Sequence, residues 1–346
     1  MPLNQPASGE NCPDCNSVSR RKFLQGAAGG LSLLAVGGAL RSGARAEDVA
    51  PAQSGETLVA QLYKSLTDEQ RAAVCFPFDH PLRSKVDNNW FITKKAVSTY
   101  TKDQQALIRD IFNSLHSEQY AKNVMAQVDQ DNEDDGGFGS CAIALFGEPG
   151  EPGKTKFEFV LTGRHVTRRC DGNSVEGEAF GGPIFYGHAP GHNFNEKPDH
   201  PGNVYWYQGL RANEVFKALD GKQRELALRS DPRREEGEKT VRLAGAKGQI
   251  NGIPMTELSG DQKNLVRKVM SDVLAPFRKT DADKALNLIE ADGGFDLLRM
   301  AYYKNMDIGN DGVWDVWQIE GPSMLWYFRG APHVHTWVHI REREKA

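Results

Sequence analysis

Histidines and a tryptophan alternate with aliphatic or hydroxyl residues in Pro332-His333-Val334-His335-Thr336-Trp337-Val338-His339-Ile340. Side chains on an extended strand point to opposite faces with a period of two, so His333, His335, Trp337 and His339 share one face. Imidazoles in such a row can ligate a transition metal. The natural third donor is His165, in the extended stretch Lys156 to Arg168, on the face of Phe157, Phe159, Leu161 and Gly163. That face looks core-directed, with Gly163 leaving room for the ring. His165, His333 and His335 with one open position suit a catalytic zinc, copper or iron ion. A carboxylate can add a fourth donor: Glu148 in Phe146-Gly147-Glu148-Pro149, or Glu320 before Gly321-Pro322. The competing reading leaves the histidines as hydrogen-bonded residues of a sheet and its core.

Substrate contacts are sought around this trio. Glycine, proline and histidine crowd residues 172–202, a long loop that contains His188 and His192. Pro190 and Gly191 exclude a helical i,i+4 pair there, so these two histidines are expected to touch substrate or to form a second ligand pair held by the loop. Arg164, Arg168 and Arg169 flank His165, and Arg329 and Arg341 flank the last strand; converging guanidiniums would hold an anion by paired hydrogen bonds. Trp314, Trp317, Trp326 and Trp337 fall within 24 residues. They read as core packing, or else as a flat aromatic surface including Trp337 for a sugar or another ring. Asp307 to Asp315 lacks the alternating acids and closing Glu of an EF-hand and reads as a tight turn.

The elements that must position these residues announce themselves by capping boxes. Thr67, Thr101 and Ser259 each precede Gln by three residues, and Asp220 with Gln223 is a looser fourth copy. Four similar caps hint at duplication, yet such boxes are common and read as local grammar. Apolar periodicity behind them predicts helices over much of 57–129 and 211–304. Strands are expected at 141–146 and 156–168, and three more at 313–319, 324–328 and 333–341, whose short breaks favour an antiparallel meander. The fold class is α+β, with a mainly antiparallel sheet built from the middle and end of the chain and packed against helices. Asp129 to Asp135 reads as a solvated acidic loop, and Cys170 as a small buried residue.

Ser19-Arg20-Arg21-Lys22-Phe23-Leu24, a glycine-rich apolar stretch from Gly26 to Leu40 and Ala44-Arg45-Ala46 form the pattern of a twin-arginine export signal over residues 1–46. The twin-arginine translocation machinery is thus an expected partner, and the mature chain is expected outside the cytoplasm. Residues 47–56 read as a linker and 57–346 as one domain. Loss of the leader removes five basic and two acidic residues and takes the net charge from −4 to −7. No basic stripe remains for nucleic acid or an anionic membrane, and no apolar run is long enough for a membrane span. Cys75, Cys141 and Cys170 allow at most one bridge. Nucleophile-elbow, phosphate-loop, dinucleotide and haem-attachment motifs are lacking, which disfavours those enzyme classes.

Lys156 to His165, Phe180-Gly181-Gly182-Pro183-Ile184-Phe185-Tyr186-Gly187-His188, and Glu320-Gly321-Pro322 through His333-Val334-His335 resemble the DUF3500 family of bacterial proteins from about Leu66 to about Ile340. The resemblance implies a single domain with the His-x-His near its end, and supplies no substrate or mechanism. The residues themselves suggest an exported metal-binding protein acting as a hydrolase or oxidoreductase. The alternative is a non-catalytic envelope protein holding a glycan or protein on its aromatic sheet face.

Overall fold

The computed structural model describes residues 54–150, 154–189, 203–304, 307 and 312–343. Its helices are α1 (Gly55–Ser65), α2 (Asp68–Val74), α3 (Lys102–Ser114), α4 (Glu118–Asp131), α5 (Trp206–Ala218), α6 (Gly221–Ala227), α7 (Gly260–Leu274) and α8 (Lys279–Ala291). All four expected capping boxes form, opening α2, α3, α6 and α7. The linker stops earlier than expected, because Ser54 caps α1 and Gly55 is already helical. Helix also covers less of 57–129 and 211–304 than the periodicity implies. Residues 75–100 and 228–258 break into short strands, 3-10 turns and coil, where Pro77, Pro81, Pro232 and Pro254 interrupt helical hydrogen bonding.

Eleven strands form one sheet: β1 (Cys75–Phe76), β2 (Ala142–Gly147), β3 (Phe157–Gly163), β4 (Val166–Cys170), β5 (Ile184–His188), β6 (Leu228–Arg229), β7 (Ile253–Pro254), β8 (Arg299–Tyr303), β9 (Val316–Glu320), β10 (Met324–Arg329) and β11 (Val334–Ile340). The fold is α+β and the sheet mostly antiparallel, as expected. The C-terminal meander β9–β10–β11 is present. The stretch 156–168 is a hairpin rather than one strand: β3 and β4 turn at Arg164-His165, where His165 takes a left-handed φ of 56°. Alternation along β3 therefore does not set the direction of His165.

The order across the sheet is β1-β2-β3-β4-β5-β11-β10-β9-β8-β6, the first half of the chain followed by the second in reverse, meeting at the antiparallel pair β5–β11. Matching details recur on both sides. Edge strands β1 and β6 run parallel to β2 and β8, against otherwise antiparallel neighbours. Gln70 bonds Gln104 across two helix caps, and Gln223 bonds Gln262 in the same way. Arg109 stacks on Phe138 and Arg267 on Phe295, each phenylalanine closing an Asp-Gly-Gly-Phe sequence. The α3–α4 and α7–α8 junctions face each other through Ser117 N–H to Pro276 C=O and Arg278 N–H to Leu115 C=O. The caps thus mark an internal repeat with approximate two-fold symmetry.

The main core lies between helices and sheet and includes Val334, Val338 and Ile340 of β11. The opposite face, with Phe185 and Trp337, is covered by Val86 and Val241, and farther along by Trp90 and Ile92. Trp317, Trp326 and Trp337 are all buried, so these residues offer no aromatic binding surface. The three described cysteines are free thiols.

His116, at the helix junction, is buried; its Nδ1 donates to Phe112 C=O (2.8 Å), leaving Nε2 to accept from Arg168 Nε (3.2 Å). Burial, then the Arg168 charge, holds this imidazole well below its ordinary pKa. The unfolded chain takes up a proton here from about pH 6.5 downward while the folded chain does not, so stability falls with pH by up to ~1.4 kcal/mol per unit from this group. His116→Gln should flatten the dependence of urea-unfolding free energy between pH 6.5 and 5 by about that slope. Parallel curves for the two proteins would refute the assignment.

Candidate metal centre

His165, His333 and His335 converge. Their ligand atoms all lie within 4.8 Å of one another. His335 Nε2 stands 2.9 Å from His333 Nε2 and 3.2 Å from His165 Nε2. Nitrogens bound tetrahedrally at ~2.0–2.1 Å from one zinc ion stand about 3.3 Å apart, so the spacing fits a shared ion. All three rings are buried. His165 comes from the β3–β4 turn, which Asn132 clamps by accepting from Arg164 N–H and donating to Arg164 C=O, while His165 N–H donates to Asn88 C=O. His333 and His335 come from the start of β11, with the alternation that the sequence suggests.

A cross-strand row of Gly187, His335 and Arg329 seats the second ring. A Cβ on Gly187 would lie 2.4 Å from Val334 O, 3.3 Å from the His165 ring and 3.4 Å from the His335 ring. Gly187, rather than Gly163, therefore makes the room; Gly163 abuts Cys141 and Val166. Gly187→Ala should cost about 1–3 kcal/mol in urea unfolding because the backbone of β11 cannot yield without breaking its ladder. A stability within 0.5 kcal/mol of the parent would show that the site has slack.

Each of two ligands is backed by a carboxylate. Asp131 Oδ2 accepts from His165 Nδ1 (2.8 Å) and Gln127 Nε2 (2.8 Å), and Asp131 also accepts from Ala189 N–H and lies 3.0 Å from His188 Nδ1. Burial pushes the Asp131 carboxyl up, but the His165 and His188 contacts outweigh it and hold it low. Glu235 Oε2 lies 2.5 Å from His335 Nδ1, a separation that requires a proton between them. Arg329 reaches the same pair, 3.3 Å from Glu235 Oε1 and 2.7 Å from Nδ1. A guanidinium has no lone pair, so the carboxylate is the acceptor that fixes the Nδ1–H tautomer and leaves Nε2 free to bind. Burial keeps all three imidazoles well below their usual pKa, Arg329 and Arg164 adding to this at His333 and His335. They are neutral donors at physiological pH.

Other expected site residues lie elsewhere. Glu148 is exposed at the far end of β3 from His165, about 20 Å away at ~3.3 Å per residue. Glu320 pairs with Arg233 at the end of β10 remote from Arg329. Neither supplies a fourth ligand. His188 backs Asp131, while His192 lies outside the described residues. Trp337 is fully buried against Phe185. Arg168 and Arg169 turn away, Arg169 to Glu158, and His339 lies against Val241 and Glu178. Arg164 and Arg329 remain beside the rings. Asp131 and Glu235 are what the sequence reading misses. Asp131 is no surface loop but continues the buried stripe of Val124, Gln127 and Val128 on α4, a periodicity that betrays it. Glu235 sits in the charged run Arg233 to Lys239 with nothing to single it out.

The two-fold repeat gives the centre a counterpart. Gly321 and Met324 close the β9–β10 turn as Gly163 and Val166 close β3–β4, putting Pro322-Ser323 where the first half has Arg164-His165. Ser323 Oγ bonds Asp292 beyond α8, as His165 bonds Asp131 at the end of α4. Pro322 and Ser323, with Arg83, Ser84 and Gly181 to Pro183, line an open cleft of about 800 Å³. The same three parts of the repeat thus build an imidazole cluster once and an open cleft once.

Neither the curated proteins nor the solved structures contain a match to this sequence. The family described as "Protein of unknown function (DUF3500)" matches residues 48–344, nearly the whole described fold and every residue of the imidazole cluster. The chain belongs to the DUF3500 family.

Proposed function

We propose that the protein is an exported metalloprotein in which His165, His333 and His335 hold one transition-metal ion, zinc, copper or iron, with its remaining positions open to water and substrate. The observation that carries this reading is the approach of three neutral imidazoles, two fixed by buried carboxylates. Without an ion, lone pairs facing each other at 2.9 and 3.2 Å repel, and burial denies them water. An all-imidazole donor set with open positions supports metal-activated water best, and hydrolysis is the reaction class assigned; a redox metal in the same donors would carry oxidation. The buried tryptophans remove the surface that glycan binding on the sheet would use.

Export by the twin-arginine machinery is part of the proposal and rests on Arg20 and Arg21, within a segment outside the described residues. A route that carries folded proteins suits a centre loaded before crossing. Among the described residues no helix is long and apolar enough to cross a membrane.

The test is elemental analysis of protein exported and purified without chelators. One equivalent of a transition metal, absent from His335→Ala and from His165→Ala, supports the centre; metal-free wild type after reconstitution with zinc, copper and iron in turn rejects it. Export is tested separately by Arg20→Lys/Arg21→Lys, which should leave the precursor in the cytoplasm.

A further inference from the structure

We infer that the metal centre takes an oxyanion, the carboxylate or phosphate end of a small substrate, and that Arg164 is the group that selects it. This rests on the metal reading above and adds the ligand class.

Arg164 is 8% exposed, its Nε has no hydrogen-bond partner, and no carboxylate lies within ion-pair distance of it among the described residues. A guanidinium buried without a counter-charge costs several kcal/mol unless something else compensates it. Its charge falls on the metal-binding rings, where it lowers the proton affinity of both His333 and His335. Residual exposure at the centre is confined to one side: Arg164 and Arg329 are each 8% exposed and His333 7%, whereas His165 and His335 are at 0%. Anything reaching the rings from solvent passes between two guanidiniums. Arg329 is already paired with Glu235, which leaves Arg164 the open fork.

The repeat supplies an internal control. The position of Arg164 in the other half is Pro322, in a turn of the same length closed by the same strands. The fold therefore does not need a cation there. Arg164 occurs in the half whose turn carries the metal-binding histidine, and in the other half proline comes with serine. Charge agrees: Asp131 and Glu235 offset Arg164 and Arg329, so a divalent ion leaves this buried group of charges in positive excess, which an anion relieves. A planar fork matches carboxylate or phosphate oxygens two at a time.

The full exported protein, stripped and reloaded with cobalt(II), provides the readout, since visible absorption reports ligands entering the cobalt shell. Acetate and inorganic phosphate are titrated separately, which distinguishes the two sources of oxyanion. Saturable spectral change with either in the wild type, weakened tenfold or more in Arg164→Gln at unchanged cobalt stoichiometry and partly restored in Arg164→Lys, supports the proposal. Spectra of the wild type indifferent to both anions, or equal affinity in the wild type and Arg164→Gln, overturn it while the metal reading stands. Failure of the wild type to bind cobalt overturns the metal reading and this inference with it. Should Arg164→Gln misfold by circular dichroism, the wild-type titration and Arg164→Lys still decide the matter.

Discussion

Reloading the stripped protein with its metal will raise its melting temperature by several degrees, and the same treatment will leave His335→Ala unmoved. An ion that binds the folded chain alone stabilises it by RT ln(1 + [M]/Kd), about 4 kcal/mol at a free concentration a thousand times Kd. For a domain of this size each kcal/mol shifts the midpoint by roughly 2–4 °C. His335 is the member that touches both other imidazoles, so its loss leaves two donors that no longer share a neighbour. Arg329 and Glu235 keep each other in the variant, which limits collateral damage to the lost ring contacts with Phe185 and His165. Differential scanning of four samples, each protein with and without metal, gives the answer. A metal-dependent rise of equal size in His335→Ala would place the ion elsewhere.

Asp131 gives the second large effect. It serves His165, Gln127, Ala189 and His188 at once, joining α4 to the β3–β4 turn and to the end of β5. Asp131→Ala strands several buried donors at about 1–3 kcal/mol each and should destabilise the protein by about 3–5 kcal/mol in urea unfolding. Asp131→Asn keeps the shape but offers a poorer acceptor to His165 Nδ1–H. Metal affinity should then fall about 10- to 100-fold, the usual cost of losing a carboxylate behind a ligating histidine. Competition with a chromophoric chelator measures it. An Asp131→Asn protein with parental affinity would show that His165 is either not a ligand or is oriented by Arg164 and Asn88 alone.

Much of this arrangement is legible in the sequence for local reasons. A Thr, Ser or Asp three residues ahead of Gln satisfies two helix-end amides wherever it occurs, so the four caps are read correctly without tertiary context. His333 and His335 share a face because they lie at the start of an undistorted strand. His165 is identified for a reason that does not hold: alternation predicts its direction, but it sits in a turn with positive φ, and the hairpin rather than the pleat aims the ring. Carboxylate partners are chosen by three-dimensional proximity. Glu148 and Glu320 end strands near glycines and look apt in sequence, yet strand length carries both to the wrong end of the sheet. Glu235 arrives from a charged, irregular segment whose burial no periodicity announces.

The repeat shows a different kind of concealment. Leu66-Thr67-Asp68-Glu69-Gln70-Arg71 and Leu219-Asp220-Gly221-Lys222-Gln223-Arg224 match at few positions, and Asp135-Gly136-Gly137-Phe138 recurs as Asp292-Gly293-Gly294-Phe295. Each pair alone is local grammar. Set on equivalent elements of one sheet, they become a repeat whose halves have diverged most at Arg164-His165 and Pro322-Ser323, where the chemistry lies.

Anomalous diffraction tests the central claim most directly. Crystals of metal-loaded protein measured on either side of the metal's absorption edge should show one peak within ~2.0–2.1 Å of Nε2 of His165, His333 and His335. A map with no peak among those three nitrogens, from crystals whose fluorescence spectrum contains the metal, would contradict it.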